Sequence, residues 1–380
     1  MHRQLSLAVL FTLLLTLIAL PITAQKQSQR ACFPADVRAN AERTAKVWRT
    51  PDPGYDPVLG YNPSVGPRVG APKVGDDGLA APIICAANKD ETEGTGTTPK
   101  FHCSVPGVVD EDGELVRYKV KPHFKGQSRD KRNGEVYGEF LSSRFSKALG
   151  FFADDEWVAD VTCQDCKKSL TKEFQGTTFT PFQPAAGIEL PLGKGIDVDC
   201  NGKDTAPLGQ TLDKLQKSGV PRAEIDAFKL WLAFIDHGDT KTDNQKFACL
   251  DSEKNSDGSR TCKPGEAVYY VSDMGSTFGY SSASENKARL KEWTGKDPIK
   301  VSGGSCRTNA KGISDAEISE AGRSLLAEGL ERLIAAEQSN GLITRVFRAS
   351  RNAERDAPPE AWTAEFIRKA KTITNAKCGT

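Results

Sequence analysis

The chain has 380 residues, with 51 basic and 50 acidic side chains and a formal net charge of +1. Such a balance, with the two signs interspersed, gives no electrostatic case for a nucleic-acid partner or a lipid surface. The length exceeds one small domain and suits a single large two-lobed unit.

Residues 2–24 hold an Arg, an apolar run from Leu5 to Leu20, Pro21 and a small-residue exit at Thr23-Ala24. This reads as a secretory signal peptide, residues 1–24, cut near Ala24. The alternative is an uncleaved anchor, but the run is short for a span and polar sequence follows it. After cleavage no stable membrane insertion is expected, and the location is secreted or periplasmic. All 10 cysteines follow this segment, and an even count in an exported chain points to disulfides. Cys249–Cys262 is the expected staple of the polar loop between them. There is no N-x-Ser/Thr site without Pro, which suits a bacterial export route.

Residues 25–92 are rich in Pro, Gly and Asp and read as an irregular arm. Cys32 and Cys85 would pin it, and Arg38–Trp48 would form a short helix. From Gly94 the string G-T-G-T-T-P-K is a Gly-rich turn that runs into a strand, and Leu115–Lys121 alternates as a second strand before Pro122. Gly134–Gly150 follows as a helix with Tyr137, Leu141, Phe145 and Leu149 on one face. Trp157–Thr162 is a further strand that leads into Cys163-x-x-Cys166, whose role is structural rather than redox or metal-binding. Asp197-x-Asp199-x-Asn201-Gly202 begins like a calcium loop but carries Leu208 where a Glu is needed.

Pro221–Phe234 is an amphipathic helix with an inner stripe of Ala223, Ile225, Phe228, Leu232 and Ile235. It delivers the chain into His237-Gly238-Asp239-Thr240-Lys241-Thr242-Asp243-Asn244, an H-x-D-x-K-x-x-N string. The strand Val268–Val271 then ends at Asp273-Met274-Gly275. Residues 281–312 are polar and Gly-rich, as an activation or substrate segment would be. Ser314-x-x-Glu317 is a capping box that would open a long helix. Helices Leu342–Arg351 and Ala361–Lys371 would finish a helical lobe. Alone, the H-x-D-x-K-x-x-N string is equally consistent with an Asp-rich surface turn.

Taken in order, these elements resemble the protein-kinase-like superfamily, in its atypical HipA, CotH and secreted-kinase branch. G-T-T-P-K resembles the phosphate loop of HipA-type kinases, and the Lys121-Pro122 step resembles the nucleotide lysine of HipA, phosphoinositide and CotH-type kinases. Glu139, ten residues before Leu149-Gly150, stands where the helix Glu that pairs this lysine stands, with Glu135 as its competitor. The catalytic-loop and D-x-G strings complete the set. The resemblance implies an α+β fold, with a sheet-containing amino lobe at 93–205 and a larger helical carboxyl lobe at 206–380. It implies ATP with Mg²⁺ or Mn²⁺ as cofactors. Gly96, Thr97, Lys100, Lys121 and Glu139 would hold the nucleotide, and Asn244 and Asp273 the metal. Asp239 and Lys241 would act on the transferring phosphate. The acceptor, whether protein, peptide or glycan, is not encoded in these motifs. Gly238 replaces the Arg of H-R-D, Met274 replaces Phe, and no A-P-E follows, so regulation departs from that of ordinary protein kinases. The rival expectations are an inert secreted pseudokinase and an envelope-binding protein.

Overall fold

The computed structural model describes residues 33–87, 100–122, 133–164, 182–196, 207–279, 287–308, 311–313, 315–354 and 356–379. The expected signal peptide, Gly96, Thr97, Cys32, Cys166, Cys200 and the Asp197–Gly202 loop lie outside these residues.

Residues 33–87 are an ordered strap. Helix α1 (Ala35–Thr44) begins earlier than its composition predicts and stops at Thr44, because the next residues pair with other strands. Lys46 N donates to Ala267 O at 3.0 Å and Lys46 O accepts from Tyr269 N at 2.9 Å. Two residues on, the Trp48 indole N–H donates to Leu149 O at 2.8 Å.

The strap feeds a small closed barrel of β1 (Ile83–Ala87), β2 (Phe101–Val109), β3 (Leu115–Lys121), β4 (Asp155–Gln164) and β5 (Phe182–Leu190). The ring order is β1-β2-β3-β5-β4, closed by a parallel β1–β4 pairing, with antiparallel neighbours elsewhere. Successive side chains of a strand face opposite ways. Val116, Tyr118, Val120, Trp157, Ala159, Val161, Ala186, Ile188 and Leu190 fill the barrel. The intervening Lys119, Lys121, Glu156, Val158, Gly187 and Glu189 therefore share its outer face.

Helix α2 (Gly134–Ala148) lies over that face. It is capped by Asn133, whose side chain accepts from Glu135 N, and the chain turns at Gly150 with φ +91°. The expected stripe of Tyr137, Leu141, Phe145 and Leu149 is buried, but so is the opposite side, Glu139 included. Periodicity predicts a half-exposed helix; α2 is instead sandwiched between barrel and carboxyl half.

In the carboxyl half, β6 (Lys194–Gly195), β7 (Gln245–Cys249) and β10 (Ala267–Val271) form one sheet in the order β10-β7-β6. Between β7 and β10 lies a hairpin of β8 (Ser252–Lys254) and β9 (Arg260–Cys262). Helices α3 (Leu208–Lys217) and α4 (Arg222–Phe234) lie between β6 and β7 in the chain. Helix α5 (Leu290–Thr294), strands β11 (Ile299–Ser302), β12 (Ser305–Thr308) and β13 (Ala316–Ile318), and helices α6 (Glu320–Asn340), α7 (Leu342–Ala349) and α8 (Pro359–Thr374) follow the sheet. The expected capping box at Ser314 does not start a helix. Residues 316–318 pair with β12, and α6 opens at Glu320, where Ser319 accepts from Gly322 N at 3.2 Å. Likewise, part of the polar 281–312 segment is a helix and two strands rather than a free loop. An aromatic core joins α2 to the carboxyl helices, with Phe145 and Phe366 ring centroids at 4.8 Å and Phe278 and Trp293 at 5.0 Å.

Among the described residues, disulfides join Cys85 to Cys103, Cys249 to Cys262 and Cys306 to Cys378. The expected Cys249–Cys262 staple is present. Cys85 bonds within the barrel rather than pinning the arm with Cys32. Cys163 is also disulfide-bonded. Bonds of this kind suit an oxidising compartment, and among the described residues no helix is long and apolar enough to cross a membrane. Cys306–Cys378 spans a sequence separation of 72 residues and Cys249–Cys262 one of 13. Loop-closure entropy then gives roughly 4 and 3 kcal/mol respectively. Guanidinium unfolding should show the Cys306→Ala/Cys378→Ala pair losing about 1.5 kcal/mol more than the Cys249→Ala/Cys262→Ala pair.

Candidate functional site

Two loops meet because two strands pair. Gln245 opposes Val271 in the β7–β10 ladder, so the chain entering β7 and the chain leaving β10 emerge at one end of the sheet. Asn244 closes a short 3₁₀ turn just before β7, and Asp273 lies just beyond β10. Backbone bonds then zip the loops together: Ser272 N to Asn244 O at 2.9 Å, Gly238 N to Ser276 O at 2.7 Å and Phe278 N to Ile235 O at 2.6 Å.

Lys121, at the end of β3, reaches into this junction. Its Nζ contacts Glu139 Oε1 of α2 and lies 2.8 Å from Asp273 Oδ1. The Lys121 and Glu139 side chains are each 2% exposed. Burial opposes the lysine's charge, but Asp273 and Glu139 outweigh it and hold Lys121 well above its ordinary pKa. Burial likewise pushes Asp273 up, and the Lys121 and Lys119 charges more than offset it, keeping the carboxylate ionised. Glu135, the alternative partner for Lys121, instead contacts Lys287.

The D-x-G glycine has a steric reason. A Cβ on Gly275 would lie 2.7 Å from Glu135 Cβ, and one on Gly138 would lie 2.6 Å from Gly275 O. Two bare backbones thus let α2 press against the Asp273 loop. The hydroxyls of Ser142 and Thr277, 2.9 Å apart, satisfy one another in that contact. Asp273 itself has φ 53°, a left-handed conformation that costs free energy in a non-glycine residue and clusters at functional sites.

Asp239 and Lys241 face the mouth of the junction, with side chains 28% and 47% exposed and Lys241 Nζ 2.9 Å from Asp239 Oδ2. The Asn244 amide N–H donates to Asp239 O at 3.1 Å. Lys100 lies near enough for the Lys121 charge, after burial, to lower its pKa. Hydrogen bonds, ion pairs and electrostatic contacts thus link Lys100, Lys121, Glu139, Asp239, Lys241, Asn244 and Asp273 where the two loops meet.

Sequence reasoning missed Glu156, Glu189, Lys119 and Asp154, which share the outer barrel face beneath α2. The available signal was a charge at an alternating position in otherwise apolar strands, as in D-D-E-W-V-A and G-I-E-L. Burial, with Glu139 and Glu189 adding to it, pushes Glu156 well above the carboxylate range. Burial and the Glu189 charge push Asp154 up to about 7.

No protein-family model matches the chain, and no curated protein matches it. Among solved structures, the Helicobacter pylori proinflammatory kinase CtkA aligns over 77% of this chain and 93% of its own, at 11% identity and a TM-score of 0.39. An overlap this loose assigns neither a family nor an activity.

Among the described residues, no well-formed hydrogen bond reaches either ring nitrogen of His237, which is 1% exposed. Burial lowers its pKa from 6.5 to about 4, against the pull of Asp239. Because the folded value lies below the unfolded one, the neutral ring's contribution is complete above about pH 6.5 and is lost as pH falls towards 4. Urea titrations across that window should show the parent losing up to roughly 3 kcal/mol relative to His237→Phe. Parallel pH profiles for the two proteins would reject a buried neutral His237.

Proposed function

We propose that this is an exported kinase-like protein that binds ATP with Mg²⁺ or Mn²⁺ and transfers the γ-phosphate to an acceptor. The observation that carries the reading is the Lys121 ammonium held between Glu139 and Asp273 (2.8 Å to the latter). The three residues come from a barrel strand, a covering helix and a loop of the carboxyl half, and nothing local would bring them together. An amino-side β-barrel and a helical carboxyl part, with the site where they meet, support the same reading.

The donor set fits a hard cation. Asp273 and Asn244 both offer oxygen, which Mg²⁺ prefers. The Asn244 amide N–H is engaged by Asp239 O, which leaves the amide oxygen as its ligand atom. A cation held there would offset the charge of the phosphates. Lys121, oriented by Glu139, would meet phosphate oxygens, and Lys100, Gly96 and Thr97 would cover them. Asp239 would orient an acceptor hydroxyl and take its proton. Lys241, beside Asp239, would face the charge that builds on the transferring group. The acceptor class is a protein, peptide or glycan.

The inert pseudokinase reading has one observation in its favour: Lys121 already engages the Asp273 carboxylate that the metal would need. Calorimetry with ATP and Mn²⁺ separates the cases. Asp273→Ala should abolish metal-dependent binding, and Lys121→Met should weaken it at least about tenfold, the scale of one lost charge-assisted contact. Lys214→Met, on an exposed face of α3, should leave it unchanged. Equal affinity in parent and Asp273→Ala would overturn the site. With radiolabelled ATP, Asp239→Asn should slow phosphate transfer by about a hundredfold or more with binding retained. Binding without transfer in the parent would select the inert form.

A further inference from the structure

Beneath α2 lies a second group of acids that the proposed nucleotide chemistry does not use. Lys119, Glu189 and Glu156 stand side by side on β3, β5 and β4, since Lys119 opposes Glu189 and Glu189 opposes Glu156. Lys119 contacts Glu189. Glu156 is 5% exposed, yet among the described residues no hydrogen bond or salt bridge reaches its carboxylate. Like charges directly opposite in a sheet repel, and a buried carboxylate without a partner is costly. Glu139 of α2 comes down on the same spot, so that ligand oxygens of Glu139, Glu156 and Glu189 all lie within 4.8 Å of one another. Glu139 and Glu156 line a small recess whose walls also include Asp154 and Asp273.

Glu139, Glu156, Glu189, Asp154 and Asp273 crowd this nest. Lys100, Lys119 and Lys121 act on these groups, as Lys241 does on Asp273, while Lys287 contacts Glu135.

We propose that Glu139, Glu156 and Glu189 form a binding site for a hard divalent cation of calcium size, separate from the Asn244–Asp273 pair. An all-carboxylate set selects hard cations over soft ones. Oxygens up to 4.8 Å apart can be spanned by an ion with ligands at about 2.4 Å, the distance usual for Ca²⁺. The ion supplies Glu156 with its missing partner and offsets the Glu156–Glu189 repulsion. It also ties α2 to β4 and β5, which fixes Glu139 against Lys121. The site does not depend on nucleotide binding.

The test uses the full mature protein, stripped with chelator and free of nucleotide. Equilibrium dialysis with Ca²⁺, Mn²⁺ and Mg²⁺ in turn, followed by thermal melts, should show one tightly held ion and a rise in melting temperature of several degrees. Glu156→Gln should weaken binding at least tenfold and cancel the rise, while its ion-free form melts at or above the ion-free parent. Asn244→Ala should bind the ion as the parent does. Glu156→Ala serves as a second variant should the glutamine protein fail to fold. If no ion binds the parent, the nest is settled by protons and the proposal fails. It fails equally if Glu156→Gln retains the ion while Asn244→Ala loses it, because the ion then belongs to the loop pair.

Discussion

A buried ammonium between two carboxylates sets the terms for the rest of this structure. Stripping Lys121, Glu139 and Asp273 of water costs several kcal/mol per ion, and only close mutual contact offsets it. Each charge is therefore a reason for the other two elements to be where they are. β3 must end at the cleft, α2 must lie across the barrel with Glu139 facing down, and the loop after β10 must turn left-handed at Asp273. The glycines at 138 and 275 follow from this, since side chains there would hold α2 and the loop apart. So does the doubly buried character of α2, which an exposed charge pair would not have required.

The residues of the proposed site were easier to pick out in the sequence than the fold around them. Lys121, Glu139, Asp239, Asn244 and Asp273 stand in short strings, and their meeting depends on strands and a helix whose periodicity is plain. Other parts were hidden for physical reasons. The β11–β13 sheet is short and polar, so no alternation marks it. Strand pairing kept 316–318 extended and overrode a local S-x-x-E match, moving the helix start to Ser319. The strap reads as irregular because its order comes from backbone bonds to distant segments, and composition reports only local propensity. Glu156 and Glu189 passed unnoticed because a lone charge in an apolar strand signifies little until cross-strand register puts another beside it.

The aromatic core explains how the junction is kept in register. Phe278, five residues after Asp273, is wholly buried and meets Trp293, Phe347 and Trp362 as well as Phe145 of α2. The loop that carries Asp273 is thus anchored at both ends, by β10 before it and by this cluster after it. Close packing of large rings tolerates few alternative arrangements, so the carboxylate sits on a firm base while Asp239 and Lys241 remain at the wet edge.

The strap bears on how a ligand would get in. Between Lys46 and Trp48 the chain makes backbone bonds to the β10 strand and a side-chain bond to the end of α2. Further on, Arg68 pairs with Asp155 of the barrel at 3.2 Å, and Asp76 O accepts from Arg345 of α7 at 3.1 Å. One length of chain is stitched alternately to both halves, across the line about which they would have to rock apart. Enzymes of two lobes commonly admit and release ligands by hinge opening. Here that motion would break several ties at once, which under the proposed function would hold the mouth of the nucleotide site at a nearly fixed width. Entry would then be decided by the size of what approaches and by side chains at the rim, and exchange would be slow for any molecule that fills the opening.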